Sequence, residues 1–573
     1  MELFEKKLNR RSFVQITAAV SLGAALAACA EDDDDAVVDD TSDDVEEPAE
    51  EPDDEDVDTD DDPDEPEVDD EVVEDDAIDE PPADGVRLTY GEGGDYTDFN
   101  PWSFSATNNH IYNQIFTRLI YRDGSGEIVN DIAESWDLAD DAMSVTFQLR
   151  DDVYWHDGEQ CTAQHFVDMY GYTQDEAMLE NSPIATLDRL IAPVSDAEAT
   201  DEFTLELSFS EPTPYAMDFF DFWFAIRIDD PDDVTFVSTL PIGTGPFVAE
   251  EWRPGEFLRL SAFEDFYDEG QPAVNELVVR RFEAAETVVP NLRAEALDGA
   301  FVTQLGELDP LEEDEENWIE ISETGGVVYN IIVNVNNPPF DQPVARRALS
   351  HTLNRRVMVD AAFFGVGTPI TSPFYHPESL AYVEDLVMAH EFDLDLAREL
   401  FEEAGVTDLS ELELTINVTP QWPQMELYSL MWQQDLAELG ITLNVNEVET
   451  ALFYDIGGDP DLLGNELHPW LNGRTTLDPA LFFATQIQYR GGETNQYGFR
   501  NEELEDLVAQ GAVEPDEEQR REIYQRANEI IVDSSHMLQL VTNPRIWAFN
   551  EAVSDVSIDF IGNVMFRNTR LNG

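Results

Sequence analysis

Residues 31–84 contain 33 Asp and Glu residues and no Lys or Arg. Pro residues interrupt the segment, and aromatic side chains are absent from it. Such a density of like charge with so little apolar surface cannot collapse around a core. The sequence therefore predicts a disordered acidic linker over residues 30–84 and a folded body over residues 85–573. A solvated spacer is favoured over a specific acidic interaction tail or a calcium-binding segment.

The residues before the linker have the pattern of an export signal. Arg10 and Arg11 precede an apolar stretch from Ile16 to Ala28, which ends in Leu-Ala-Ala-Cys at Cys29. The stretch is too short for a permanent transmembrane helix, and small residues before the cleavage site are typical of a signal peptide. The arginine pair resembles the twin-arginine signal, and the last four residues resemble a lipobox. We expect a signal peptide over residues 1–29 and a lipid anchor at Cys29; the alternative is a short amphipathic helix with a buried cysteine.

The charge of the body excludes several functions. Residues 85–573 contain 91 acidic residues against 25 Lys and Arg, a net charge of −66, and no lysine follows Lys7. This balance excludes a nucleic-acid binder, which needs clustered cations. A P-loop, a Schiff-base lysine and a protein-kinase core each need a lysine that is missing. An acidic surface almost without lysine is typical of proteins from high-salt habitats, where salt screens the self-repulsion; the alternative is an ordinary soluble acidic protein.

The body mixes short strands with amphipathic helices, which indicates α/β layers. Strands are predicted at residues 86–90, 145–150, 412–418 and 441–445. Helices are predicted at residues 343–357, 397–404 and 424–439, the first with Pro343 in its opening turn and the second stopped by Gly405.

Several ordered segments of the body resemble the family 5 extracellular solute-binding proteins, the dipeptide, oligopeptide and nickel receptors of ABC importers. The match covers residues 85–573, and the order of the segments carries it more than any one of them. The segments are residues 111–120 with Ala-Glu-Ser-Trp at 133–136, the signature at 147–158 with 162–163, Gly-Thr-Gly-Pro-Phe at 243–247, residues 336–350, residues 392–405 and residues 520–524.

The resemblance implies a two-lobed periplasmic-binding-protein type II fold with a hinge, an interlobe ligand cleft and an extra α/β domain. Lobe I would comprise residues 85–126, 236–320 and 535–573. The extra domain would span residues 127–235, and lobe II residues 321–534. The implied function is a monomeric receptor that binds a peptide or another small solute and passes it to an ABC permease with its ATPase. No cofactor, metal or nucleic acid is expected.

Three stretches supply candidate ligand contacts: the aromatic loop at 96–102, the stretch 329–336 and the stretch 468–478, which lies where the family's ligand-facing loop is found. Each aromatic side chain among the candidates could instead belong to the core. The candidates are Tyr96, Phe99, Asn100, Asn334, Trp422, Trp470, Arg474 and Asp478.

The loop after Trp470 departs from the family pattern. Peptide-binding relatives commonly have Trp-x-x-Asp-Tyr-x-x-Pro there, and that Asp takes the α-ammonium group of the peptide. Here the loop is two residues longer, and Thr475 stands four residues before Pro479. Asp478, the only acid in the loop, is also placed to cap a helix that begins at Pro479. We therefore expect a receptor without the usual amine anchor, whose ligand is a peptide with a blocked or differently held amine, or another solute with an acidic group that meets Arg474.

Catalytic motifs are missing from the sequence. His-Glu-x-x-His and Gly-x-Ser-x-Gly do not occur, Cys161 is expected to be a buried small hydrophobe, and His156 is expected to serve a turn. Chance pairing among so many acids leaves a hidden glycosidase-type pair open. We expect a binding protein and not an enzyme. Alternatives are a receptor for an oligosaccharide or a nickel chelate, and a sensory surface protein with the same fold.

Overall fold

The computed structural model describes residues 85–94, 96, 99, 101, 109–174, 193–229, 240–312, 317–458, 460–463, 467–473, 478–492, 495 and 497–572. The chain divides into two units, Met1–Glu74 and Asp75–Gly573, and all described residues belong to the second. The predicted signal peptide, linker and lipid anchor at Cys29 lie outside the described residues. So do two candidate contacts, Asn100 and Arg474.

Ten strands of the described chain form one mixed sheet in the spatial order β14-β13-β15-β12-β16-β11-β1-β10-β9-β8. Their bounds are β1 Arg87–Gly93, β8 Phe247–Arg253, β9 Phe257–Ala262, β10 Glu276–Phe282, β11 Gly299–Phe301, β12 Asn317–Val333, β13 Glu413–Val418, β14 Thr442–Glu447, β15 Leu467–Gly473 and β16 Met537–Asn550.

A separate antiparallel sheet has the order β4-β5-β7-β6 and comes from the middle of the predicted extra domain. Its strands are β4 Ala133–Leu138, β5 Ser144–Leu149, β6 Val194–Asp201 and β7 Thr204–Phe209. Short pairs are β2 Ile120–Arg122 with β3 Ile128–Asn130, β17 Val553–Ser554 with β20 Arg570–Leu571, and β18 Ser557–Ile558 with β19 Val564–Met565.

Helices cover both the lobes and the extra sheet. They are α1 Asn109–Ile115, α2 Ala163–Thr173, α3 Ala216–Phe220, α4 Val288–Arg293, α5 Leu308–Glu312, α6 Pro343–His351, α7 Arg355–Ala362, α8 Glu384–Val387, α9 Leu394–Glu403, α10 Pro423–Leu439, α11 Thr450–Gly458, α12 Pro460–Leu463, α13 Pro479–Thr485, α14 Glu502–Val513 and α15 Glu517–Ser534. The predicted α/β class is confirmed. The predicted domain boundaries stay predictions.

The long strands β12 and β16 join the two halves of the large sheet. At one end Asn317 pairs with Asn550, and β16 also pairs with β11. At the other end Ile332 pairs with Met537, and β12 also pairs with β15. The register breaks between Ser322 and Val327, where a Cβ on Gly326 would stand 1.8 Å from the Asn543 carbonyl oxygen. The break separates the strands of predicted lobe I, on the side of β11, from those of predicted lobe II, on the side of β15.

One predicted helix is wrong in its length. The helix expected over residues 343–357 ends at His351, and a second helix starts at Arg355. The Thr352 hydroxyl donates to the Leu349 carbonyl at 2.7 Å, and the Arg355 guanidinium donates to the Ser350 carbonyl at 3.0 Å. In a continuing helix these two carbonyl oxygens would accept hydrogen bonds from backbone N–H groups. Side chains donate to them instead, and the first helix ends there. The helix and strand bounds near 397–404, 412–418, 424–439 and 441–445 agree with expectation within two to three residues.

Candidate ligand-binding site

The parallel strands of both halves end beside the register break. In lobe I, β1 pairs parallel with β10 and β11, and β11 runs antiparallel to β16, toward the break. In lobe II, β15 runs antiparallel to β12 and ends at Gly473, opposite Val327, and β13 runs parallel to β14 and β15. Ligands of α/β proteins bind at the carboxyl ends of parallel strands. The two carboxyl edges therefore mark the candidate site, which we call the cleft edges of lobe I and lobe II.

Aromatic side chains gather at the cleft edge of lobe II. Trp422 precedes α10, and its indole N–H donates to the Tyr454 hydroxyl at 3.3 Å. Tyr454 meets Trp470 edge to face, with ring centroids 6.1 Å apart, and remains 43% exposed. The structure thus brings two predicted contacts, Trp422 and Trp470, together through Tyr454, a residue that sequence reasoning missed.

Buried polar atoms without partners lie on the same face of the sheet as Trp470. Asn330 and Asn472 are buried, and the Asn330 amide donates to the Asn472 amide oxygen at 3.1 Å. The remaining amide atoms, Asn330 Oδ1 and Asn472 Nδ2, have no hydrogen-bond partner among the described residues, nor has either ring nitrogen of His468. Burial lowers the pKa of His468 to about 3, so the ring is neutral.

Buried polar atoms are almost always hydrogen-bonded, so this group is suited to water or a polar ligand. We call Asn330, Asn472 and His468 the polar stripe. Its members come from β12 and β15, which register places side by side, with Asn330 opposite Trp470 and Ile332 opposite His468. The signal available in the sequence was a lone Asn inside the apolar run Val-Val-Tyr-Asn-Ile-Ile-Val at residues 327–333.

The two described candidates of lobe I are packed inside. Tyr96 is 3% exposed, its hydroxyl donates to the Glu92 carboxylate at 2.5 Å, and the Arg281 guanidinium lies 4.2 Å from its ring centroid. Phe99 is 1% exposed and meets Trp252 edge to face at 5.0 Å. Both follow β1 at the cleft edge, but they contribute core packing and a buried charge cluster there. Ligand contact by either side chain stays a prediction.

The structure does not bring Asn334 to this edge. Asn334 follows the end of β12, where Val333 pairs with Leu467 at the far end of lobe II from the register break. Its side-chain oxygen accepts hydrogen bonds from the backbone N–H and the side-chain amide of Asn336, at 3.0 and 3.1 Å. Asn334 thus organises the turn before the helix at Pro343, and its ligand contact also stays a prediction.

Asp478 has the capping role expected from the Asp-Pro sequence. Its side chain accepts a hydrogen bond from the Ala480 N–H at 2.9 Å at the start of α13, and its other oxygen bonds the Arg520 guanidinium. Both side chains of this pair are buried. The capping prediction is confirmed, and the carboxylate is already paired with an arginine of the same predicted lobe.

A second ion pair faces this one from α3. The Asp218 carboxylate accepts from Arg122 at 3.3 Å. Burial raises the pKa of Asp218 to about 7, Arg122 opposes that rise, and the nearby Asp478 carboxylate adds to it. Since α3 belongs to the predicted extra domain, two ion pairs meet where that domain contacts lobe II.

Comparison with known proteins decides the family. The family model for bacterial extracellular solute-binding proteins, family 5 (middle region), matches residues 127–484. The chain belongs to this family. Haem-binding protein A of Haemophilus influenzae is 23% identical over 75% of this chain and 81% of its own length. Glutathione-binding protein GsiB of Escherichia coli K12 is 24% identical over 80% of this chain and 89% of its own length.

A solved structure confirms the fold of this family 5 protein. The dipeptide-binding protein of Pseudoalteromonas sp. SM9913, in complex with Met-Leu, superposes with a TM-score of 0.71 at 20% identity, over 85% of this chain and 100% of that chain. The two-lobed type II fold expected from the sequence is therefore confirmed, and so is the family resemblance. Members of the family bind solutes, which confirms the expectation of a binding protein and not an enzyme.

Cys161 and His156, which were expected to be non-catalytic, have structural roles in this family 5 protein. Cys161 is 1% exposed, and burial raises the pKa of its thiol to about 12, so it is an inert small hydrophobe. The His156 ring bonds the Gly243 N–H at 3.2 Å and the Gly245 carbonyl at 3.1 Å, and burial lowers its pKa to about 4. Both expectations are confirmed; His156 ties the signature hairpin to the Gly-Thr-Gly-Pro-Phe turn.

The described residues contain neither a cluster of metal-ligating side chains nor a membrane-spanning helix. In that part of the chain, no three His, Cys, Asp or Glu side chains are grouped so that they could hold a metal ion. Nor does any described helix have the length and apolar character needed to cross a membrane.

Proposed function

We propose that this protein is the lipid-anchored receptor of an ABC importer, which captures peptides or similar solutes between its lobes and delivers them to the permease and its ATPase. The observation that carries the proposal is the pair Asn330 and Asn472 of the polar stripe, which lies beside the aromatic cluster of Trp470 and the exposed Tyr454 toward the cleft edge of lobe II. Family membership and the peptide-related names of several relatives support it.

A peptide fits the chemistry of this edge. The unpartnered Asn330 oxygen and Asn472 amide nitrogen offer one acceptor and one donor, the complement of a peptide N–H and C=O. The aromatic cluster supplies apolar surface for side chains. An oligosaccharide or a nickel chelate is the alternative ligand, and a similar solved structure, NikZ of Campylobacter jejuni, is in complex with Ni(L-His). A sensory receptor is the alternative use of the same site.

The ligand prediction is tested by calorimetry with di- and tripeptides in molar KCl. Tyr454→Ala is expected to weaken peptide binding at least fivefold, because removal of an aromatic ring that contacts the ligand costs about 1 kcal/mol or more of binding free energy. Tyr454 is exposed, so the variant should remain folded. Leu452→Ala, equally exposed on the same helix, is the matched control and should bind as the parent does. Unchanged affinity in Tyr454→Ala would place the ligand elsewhere.

The same titration decides how the amine end is held. Because Asp478 already bonds Arg520 and caps α13, we propose that the protein lacks the usual amine anchor and that Arg474 meets an acidic group of the ligand. Free and N-acetylated forms of one peptide should then bind within about tenfold of each other. A larger preference for the free peptide, abolished by Asp478→Asn, would make Asp478 the anchor.

The proposed location is the outer face of the cytoplasmic membrane, reached through the twin-arginine route. Cys29→Ser is expected to prevent lipidation, because the thiol is the acceptor of the lipid, and to release the protein or leave its signal uncleaved. Fractionation with immunoblotting measures this. Arg10→Lys with Arg11→Lys should stop export without affecting the lipid site. A Cys29→Ser protein that is processed and still membrane-bound would contradict the anchor.

A further inference from the structure

Three buried polar atoms without partners lie together in lobe I. They are the Tyr90 hydroxyl on β1, the Nδ1 atom of His110 on α1 and the indole Nε1 atom of Trp547 on β16. The three side chains are 1%, 3% and 0% exposed, and none of these atoms has a hydrogen-bond partner among the described residues. We call the three side chains the lobe I polar group.

The rings of this group contact one another through Trp547. The Trp547 ring centroid lies 4.8 Å from that of His110, edge to face, and 6.1 Å from that of Tyr90. Three separate elements thus bring an indole N–H, a ring nitrogen and a hydroxyl into one small region. Buried polar atoms are almost always hydrogen-bonded, so three unsatisfied atoms in one place point to a partner that they share.

The lobe I polar group lies beside the cleft edge of lobe I. Phe301, the last residue of β11, pairs with Trp547 across the strands, and its ring centroid lies 4.5 Å from those of Trp547 and His110. Phe301 is half-buried, whereas the two rings that it contacts are buried. Two residues before Trp547, Arg545 pairs with Ser322 at the register break. A ligand at this edge is therefore separated from the polar group by one half-buried ring.

The charged groups beside the polar group already face opposite charges. The Glu92 carboxylate pairs with the Arg281 guanidinium at 3.0 Å. Burial lowers the pKa of Arg545 to about 10, and the Asp559 carboxylate opposes that shift, so Arg545 stays a cation. A charged ligand group would enter this buried region without a counter-charge of its own, which is costly, whereas an uncharged polar group needs only hydrogen bonds.

The hydrogen-bonding capacity of the polar group fits an acceptor. An indole N–H can only donate, and a tyrosine hydroxyl can donate as well as accept. Burial, helped by Arg545 and Arg281, holds the pKa of His110 well below its usual range, so the ring is neutral and its Nδ1 atom can serve either role. The chemistry therefore suits an uncharged oxygen.

We propose that the lobe I polar group binds a carbonyl oxygen of a bound peptide, while the Asn330 and Asn472 amides bind its backbone from lobe II. The inference rests on the proposed function and adds to it the contribution of the second lobe. A peptide that bonds to both lobes favours the closed arrangement, because only that arrangement allows both sets of hydrogen bonds.

The test is calorimetry of the full chain with the tripeptide Ala-Phe-Ala in molar KCl. Tyr90→Phe removes only the hydroxyl and is expected to weaken binding about threefold or more, because one hydrogen bond to the peptide is lost. The free protein should not be destabilised, since that hydroxyl has no partner among the described residues. Tyr428→Phe is the matched control: its hydroxyl is also buried and unpartnered there, but it belongs to the core of lobe II, and binding should stay unchanged.

A modified ligand identifies the atom that is bound. Each carbonyl oxygen of Ala-Phe-Ala is replaced in turn by sulfur, a weaker acceptor, and both peptides are titrated against the parent and Tyr90→Phe. At one position the loss of affinity seen with the parent should disappear in Tyr90→Phe, because the two changes remove the same hydrogen bond. Additive losses at both positions would contradict the assignment to a carbonyl oxygen.

His110→Phe keeps the test valid if Tyr90→Phe fails to fold, because it retains a ring against Phe301. It too should weaken binding about threefold or more, with circular dichroism showing a folded protein. A smaller loss in folded Tyr90→Phe, or in His110→Phe when Tyr90→Phe does not fold, would overturn the inference and leave the proposed function standing. A shifted thermal midpoint with unchanged affinity would assign the polar group to an internal water only. A parent that binds no peptide would contradict the proposed function, and this inference with it.

Discussion

Replacing Arg520 with Gln is expected to lower the free energy of unfolding by about 3–5 kcal/mol. Arg520 is 4% exposed and is the partner of the Asp478 carboxylate, which is itself 5% exposed and caps α13. Without Arg520 the carboxylate remains buried beside Asp218 with its charge uncompensated, which is the costly way to break a buried pair. Chemical denaturation in molar KCl, with parent and variant under the same conditions, measures the loss.

Arg521 supplies the matched control for this experiment. It lies next to Arg520 on α15, but it pairs with Glu517 at 2.9 Å on the exposed surface. Exposed pairs contribute about 0–1 kcal/mol, so Arg521→Gln should change the free energy of unfolding only slightly. The double variant Asp478→Asn with Arg520→Gln should recover part of the loss, because neither partner is left charged. Equal effects of the two arginine substitutions would contradict a buried, stabilising pair.

The thermal midpoint of the full chain is expected to rise by on the order of 10 °C between dilute buffer and molar KCl. The body carries a net charge of −66, and its acids far outnumber the arginines available to pair with them. Folding concentrates these charges, and salt screens their repulsion once the Debye length falls to about 3 Å in 1 M salt. Calorimetric or fluorescence melts over a KCl series measure the effect.

Sucrose at matched osmolality is the control for this series, because an excluded neutral solute stabilises folded proteins without screening charge. Most of the rise should be missing in sucrose and should appear in NaCl as well as in KCl. A midpoint that stays flat or falls as salt increases would remove the argument for a protein adapted to high salt.

Local sequence was enough to predict the fold class of the body and the ends of two of its helices. The helix ends before Gly405 and Gly440 depend on neighbouring residues, whose size and backbone conformation act over a few positions. The acidic linker at 31–84 and the signal peptide follow from local charge and composition in the same way, and they stay predictions. The ordered family segments also lie along the chain, and the family and its two-lobed fold could be inferred from them and were confirmed.

The make-up of the candidate site was decided only by tertiary structure. Trp422 and Trp470 meet through Tyr454, and Asn330 meets Asn472, because strands far apart in sequence lie side by side in a fixed register. The same register places Asn334 at the end of β12 that is far from the register break. Whether a polar side chain is satisfied depends on the neighbours that the fold brings to it, and a sequence does not contain that information in any local pattern. For the same reason Arg346 looks like one more helix arginine in the sequence, and only the fold shows that it is buried against the carbonyl groups of Ser534 and Phe340.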